Sequence, residues 1–166
     1  LWQNASTAAT FLVNSAGTYD VDVTLNGCTV NDAINVGYNP LPVVNLGNDT
    51  TICDGQPLVL NASYPGATYL WQDGSTAATI DASAGGNFSV TLTLNGCTAS
   101  DARQVNVNPV PVVDLGNDTT LCAGQALLLD ATVAGATYLW QDGSTAATYN
   151  VTGAGAYSVT VTLNNC

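Results

Sequence analysis

Five cysteines are the residues of this 166-residue sequence best equipped for chemistry, and their spacing is regular. Cys28, Cys97 and Cys166 are evenly spaced, with a period of 69 in the numbering, and the step from Cys53 to Cys122 is the same. Cys53 stands as far before Cys97 as Cys122 stands before Cys166. That spacing predicts two disulfides, Cys53–Cys97 and Cys122–Cys166, with Cys28 pairing outside the sequence. Closing a loop of this length is worth roughly 4 kcal/mol in the chain-entropy account, and disulfides point to an oxidising compartment, hence export. The rival readings are free buried thiols or a metal centre. There is no Cys-x-x-Cys pair and no His, which argues against zinc.

The remaining polar side chains offer little reactivity. All twelve acidic residues are Asp, Arg103 is the only base, and the formal net charge is −11. Such a surface has no footprint for nucleic acid or anionic lipid. Without His or Lys no serine has an activating base, and a Lys-free chain cannot form Lys–Asn isopeptide cross-links. The sequence reads as non-enzymatic, with no cofactor. Asp20 and Asp22 share one strand face, but their counterparts one and two repeats on are Ser or Thr, which fits solvated charge better than a glycosidase pair. Asp49 and Asp118 fall in Gly-Asn-Asp-Thr, and Asp73 and Asp142 in Gln-Asp-Gly-Ser, where a carboxylate caps nearby backbone donors. Asp49 and Asp118 are also weak calcium candidates, without EF-hand or RTX spacing. Arg103 stands where Ile34 stands one repeat earlier and is expected to snorkel at a strand edge.

These residues must be positioned by strands. Hydrophobic residues make up 46% and charged residues only 8%, the reverse of a disordered acidic tail. Phe88, Val90, Leu92 and Leu94 alternate with Ser and Thr, as do Tyr19–Leu25 and Tyr157–Leu163, a half-buried antiparallel strand in each case. Leu58–Leu60 and Leu127–Leu129 predict central strands, Thr68–Trp71 another, and Asp73-Gly74-Ser75, Gly85-Gly86 and Asn95-Gly96 predict turns. No helix is expected, and the fold class is an all-β, antiparallel β-sandwich. Leu1-Trp2-Gln3 returns at Leu70 and Leu139, and Pro42–Cys97 matches Pro111–Cys166 at 37 of 56 positions. The expected division is 1–40, the C-terminal part of one module; 41–109, a complete module; and 110–166, a module lacking its last strand. The sequence is accordingly expected to be a window of a longer chain. Asn39-Pro40-Leu41-Pro42 and Asn108-Pro109-Val110-Pro111 predict short, stiff linkers and a rod.

Leu46–Cys53, Tyr69–Thr76 and Gly86–Cys97 together resemble the PKD-like, Ig-like tandem repeats of giant Bacteroidetes surface adhesins, gliding-motility adhesins among them. The resemblance spans the chain. It departs from classical PKD modules at Trp71-Gln72-Asp73-Gly74, where their acidic turn is longer. It implies an Ig-like sandwich and type IX secretion. It places Trp2, Trp71 and Trp140 in the core, and Tyr19, Phe88 and Tyr157 at the opening of the late strand, where a tyrosine corner sits. It also implies O-glycosylation at Thr50 and Thr119, each in an Asp-Thr-Thr expected in an exposed turn.

The expected function is a structural and adhesive stalk: disulfide-stapled spacer modules of a secreted or outer-membrane-attached cell-surface fibre, supporting attachment or gliding. Expected partners are neighbouring identical modules, surface glycans or other adhesin and filament chains, with no nucleic acid and no membrane insertion. Two alternatives compete, a carbohydrate-binding module array on a secreted hydrolase and a self-assembling extracellular filament whose missing strand comes from a neighbour.

Overall fold

The computed structural model describes residues 1–166, and its chain is all-β, with twelve strands and no helix. In chain order these are β1 (Gly17–Leu25), β2 (Cys28–Val36), β3 (Thr50–Cys53), β4 (Val59–Asn61), β5 (Thr68–Trp71), β6 (Thr79–Asp81), β7 (Gly86–Leu94), β8 (Cys97–Asn108), β9 (Leu127–Asp130), β10 (Thr137–Trp140), β11 (Thr148–Val151) and β12 (Val159–Thr162). They form a four-stranded sheet, ordered β3-β8-β7-β5, and four two-stranded sheets: β1-β2, β4-β6, β9-β11 and β10-β12.

Period-two burial is clearest in β7, whereas in the β1–β2 hairpin, whose Tyr19–Leu25 strand is expected to be half-buried, Val23, Leu25, Val30 and Ile34 are exposed. In β7, Phe88, Val90 and Leu92 are buried while the intervening Ser and Thr are half-exposed. The β7–β8 hairpin closes through Asn95 and Gly96, both at positive φ, with Leu94 opposite Cys97. That is the two-residue turn whose twist matches the strands. The same turn joins β1 to β2 at Asn26-Gly27. Near the end of the chain Asn164-Asn165 adopts it without glycine, and Leu163 and Cys166 exchange backbone hydrogen bonds of 2.9 Å.

Two more expectations change. Leu58–Leu60 and Leu127–Leu129 do not make central strands. β4 pairs only with β6, and β9 only with β11, and each strand buries one face, Leu60 or Leu129, while Val59 and Leu128 on the other face are exposed. The strand expected over Tyr157–Leu163 is shortened to Val159–Thr162, for β12 has a partner on one edge only, β10. A third feature has no antecedent in the sequence pattern: β3 joins its sheet in parallel, Thr50 opposite Val105 and Cys53 opposite Asn108.

The main core collects Leu60 from β4, Ile52 from β3, Trp71 from β5, Phe88, Val90 and Leu92 from β7 and Val105 from β8, with Leu46, Ala62 and Ala82 from connections. A second core gathers Leu129, Ala131, Trp140 and Val151. In residues 1–40, Trp2 stacks on Phe11 with ring centroids 5.3 Å apart, and Tyr19 meets Phe11 at a tilt, 5.8 Å away.

Candidate functional site

The chemistry of the cysteines follows from the parallel pairing of β3. Cys53 ends β3 beside Asn108, the last residue of β8, whereas Cys97 is the first residue of β8. Twelve residues of strand span about 40 Å, so Cys53 and Cys97 lie at opposite ends of one sheet and cannot bond. The structure therefore corrects the expected pairing. The disulfide is Cys53–Cys166, across 113 residues with Cα atoms 5.5 Å apart. Cys28, Cys97 and Cys122 are free thiols. The bond joins residues 41–109 to residues 110–166 instead of closing a loop within either stretch.

Backbone and amide groups build this junction. Asn108 accepts a hydrogen bond at its carbonyl from the Asp54 amide (2.8 Å) and donates from Nδ2 to the Asn164 carbonyl (3.1 Å). Gln56 Oε1 accepts from the Cys53 amide at 3.1 Å, and the Gln56 amide donates back to the Cys53 carbonyl at 2.9 Å. The tight Asn164-Asn165 turn presents Cys166 at the tip of its hairpin. A shallow polar recess of about 570 Å³ flanks the bond, lined by Thr51, Gln56, Asn108 and Asn164 among others.

Part of this arrangement recurs one repeat earlier. Asn39 Nδ2 donates to the Asn95 carbonyl at 3.1 Å, and the Cys97 thiol lies 3.8 Å from the Asn39 carbonyl. Cys97 thus holds the place of Cys166, beside a strand end with no cysteine-bearing neighbour. At the other end of the chain Cys122 holds the place of Cys53. Its amide donates to Gln125 Oε1 at 2.9 Å.

A larger groove, about 870 Å³, opens in residues 115–157, lined by Leu115, Leu121, Leu127, Leu129, Val151 and Tyr157 among others. The corresponding side chains of the central stretch, Leu46, Ile52, Leu58, Leu60 and Phe88, pack with Val105 and Val107 of β8. Residues 119–122 form no strand and stay exposed.

The other candidate residues fall as follows. Trp71 and Trp140 are buried, and each donates its indole N–H to the carbonyl six residues on, Ala77 and Ala146, at 2.8 Å. Trp2 makes the same bond to Ala8 but is only half-buried. Tyr19 is buried and Tyr157 half-buried, and their hydroxyls donate to the carbonyls four residues back, Ser15 (2.8 Å) and Gly153 (2.9 Å). Phe88 is buried without such a bond. Thr50 begins β3 and is half-buried instead of standing in an exposed turn, because the parallel pairing draws it into the sheet, whereas Thr119 is exposed. Asp49 accepts the Gln104 amide at 2.9 Å, and no group of three or more His, Cys, Asp or Glu side chains comes together.

Sequence reasoning missed Asp101 and the true contacts of Arg103. From β8, Asp101 Oδ2 accepts the Leu46 amide (2.7 Å), and Arg103 donates to the Leu46 carbonyl (2.9 Å). Two side chains do for Leu46 what a paired strand would do. The Asp-x-Arg spacing on one strand face was the available signal. It missed Tyr69 and Tyr138 too, whose hydroxyls clasp the backbone of Tyr64 and Val133.

Four turn carboxylates are held below the ordinary value of 3.8 by donors two residues on. For Asp73 and Asp142 the leading cause is the backbone amide of Ser75 and Ser144. For Asp81 and Asp130 it is the hydroxyl of Ser83 and Thr132. These are Asx turns, and their carboxylates are occupied with structure. Comparison with known protein families finds no match, and no curated protein sequence matches the chain significantly.

Proposed function

We propose that the chain is a stretch of a structural, adhesive stalk: tandem Ig-like sandwich modules, one to each repeat, divided at 40/41 and 109/110, within a secreted or cell-surface fibre. The observation that carries this reading is the Cys53–Cys166 bond. A covalent tie from one module to the hairpin tip of the next, alongside a proline linker, resists bending and pulling between modules. Export is consistent with a disulfide. The sandwich reading draws on a main core to which both the four-stranded sheet and the β4–β6 pair contribute. The adhesin resemblance gives the fibre its surface role, with Thr119, exposed on its segment, the better placed of the two glycosylation candidates. A carbohydrate-binding array needs a row of exposed aromatics, whereas Trp71 and Trp140 are spent inside.

Small-angle X-ray scattering of the oxidised chain tests the proposal. A rod gives a skewed pair-distance distribution that broadens on reduction. A compact particle, with a radius of gyration near the roughly 15 Å of a single globule of this length, would overturn it.

A further inference from the structure

The turn between β7 and β8 sets two groups side by side that can react with each other. Asn95 and Gly96 occupy it at φ +48° and +81°, a conformation that favours the Asn-Gly pair. Both are exposed, and nothing stands within 4 Å of where a Cβ would lie on Gly96. The Gly96 amide and the Asn95 side chain make no hydrogen bond. The same exposed turn recurs at Asn26-Gly27, at φ +51° and +82°. In the third repeat Asn165 replaces the glycine, and its side chain shields the amide nitrogen.

The turns at Asp73-Gly74 and Asp142-Gly143 are not free in this way. There the glycine amide donates to the Trp71 or Trp140 carbonyl at 2.9 Å. The carboxylate accepts the Ser75 or Ser144 amide, also at 2.9 Å. Both groups that would have to meet are occupied. Asn95 is restrained differently. Its carbonyl lies in one peptide plane with the Gly96 amide and accepts Asn39 Nδ2 at 3.1 Å, across 56 residues. That peptide must rotate before the Gly96 nitrogen can reach Asn95 Cγ, and the Asn39 bond opposes the rotation.

We propose that Asn95-Gly96 is a site of spontaneous deamidation and isomerisation, and that the Asn39 clasp sets its rate. The Gly96 nitrogen attacks Asn95 Cγ, and a new N–C bond forms as the Cγ–Nδ2 bond breaks. Nδ2 leaves as ammonia and takes the amide proton with it. Water then opens the resulting succinimide at either carbonyl. Opening at Cγ gives an aspartate. Opening at the α-carbonyl gives an isoaspartate, whose main chain runs through the side-chain methylene. That longer turn no longer holds Leu94 opposite Cys97, and either product adds a negative charge to a chain already at −11. Drawing Asn39 away from the hairpin tip releases the brake, and the isoaspartate keeps a permanent record of that opening. The reaction depends on the turn and the clasp alone, not on the stalk reading.

The test incubates the folded, oxidised full chain in warm, mildly alkaline buffer. Peptide mass spectrometry follows the mass gain at each asparagine, and an isoaspartate-specific methyltransferase labels the isomerised product. Asn26 and Asn95 should convert at least about tenfold faster than Asn164, whose neighbour is not glycine. Asn39→Ala should speed conversion at Asn95 by about fivefold, the weight of one hydrogen bond, and leave Asn26 unchanged. Asn26 thus serves as an internal clock that separates loss of the clasp from general loosening of the chain. Conversion at Asn95 no faster than at Asn164 overturns the site. An unchanged Asn95 rate in Asn39→Ala, or equal acceleration of Asn26, overturns control by the clasp. The stalk reading predicts neither rate, so its failure in scattering would leave both outcomes standing.

Discussion

Trp71 fills the centre of the main core at 2% exposure and spends its only polar atom on the Ala77 carbonyl. Trp71→Ala leaves a cavity and an unpaired carbonyl, and is expected to cost about 3–5 kcal/mol, read as a fall in the urea midpoint. A loss under about 1 kcal/mol would show that this core collapses around the gap. The turn carboxylates give a second prediction at this scale. Asp73, Asp81, Asp130 and Asp142 have folded-state pKa values below the 3.8 of the unfolded chain. Their contribution is present above that value and is lost as pH falls through the lowered folded values. The melting temperature should therefore hold level from neutral pH down to about 5 and drop below about 4, with Asp81→Asn and Asp130→Asn flattening the drop. A pH profile identical in the double variant would remove the Asp81 and Asp130 turns as its cause. The tryptophans and turn aspartates are readable from residue type and recurrence alone. The Asp101–Arg103 grip on Leu46 is not, because it needs a backbone group brought from 55 residues away, whereas the tyrosine clasps are local, each to a residue five positions back, and escape because residue type alone does not show the loop that curls over the ring.

At the scale of elements, β1 and β7 announce themselves through alternation ending in an Asn-Gly turn, while β3 stays hidden. Thr50-Thr51-Ile52-Cys53 has no pattern that separates parallel from antiparallel pairing, yet its direction decides which cysteines meet. The equal spacing of Cys53 to Cys97 and of Cys122 to Cys166 suits a bond within each sequence repeat. That bond fails because β8 carries its first and last residues to opposite ends of the sheet. Gly85 shows how closely β8 is covered from the other side. At φ +72° a Cβ there would stand 2.8 Å from Val107 Cγ2 and 3.2 Å from the Val105 carbonyl. Gly74, at φ +85°, has nothing within 4 Å. Ala at either site bears the left-handed backbone cost of about 1–2 kcal/mol. Gly85→Ala also pushes on β8, so it should destabilise by about 1–3 kcal/mol more than Gly74→Ala. Parallel denaturation curves check this, and equal losses would show that Val107 yields freely.

The whole molecule is held by unequal parts. The main core has ten buried residues and the second has four, with an open groove where the central stretch has β8. Residues 110–166 therefore bury too little to be robust alone. The Cys53–Cys166 bond ties them to the stronger body, and linking positions 113 apart removes unfolded-state freedom worth about 4–5 kcal/mol in the chain-entropy account. Losing that tie should fall on the weaker part first. In Cys53→Ser, heating is expected to uncouple the two cores. A lower transition should report through Trp140, with Trp2→Phe and Trp71→Phe in the background, and a higher one through Trp71, with Trp2→Phe and Trp140→Phe. The oxidised natural chain should hold the two closer together, by several degrees, since the tether raises the lower transition more than the upper. Coincident transitions in Cys53→Ser would mean that the asparagine clasp at Asn108 and Asn164 couples the cores without sulfur. In that case the stiffness of the junction would reside in its hydrogen bonds, and would persist under reducing conditions.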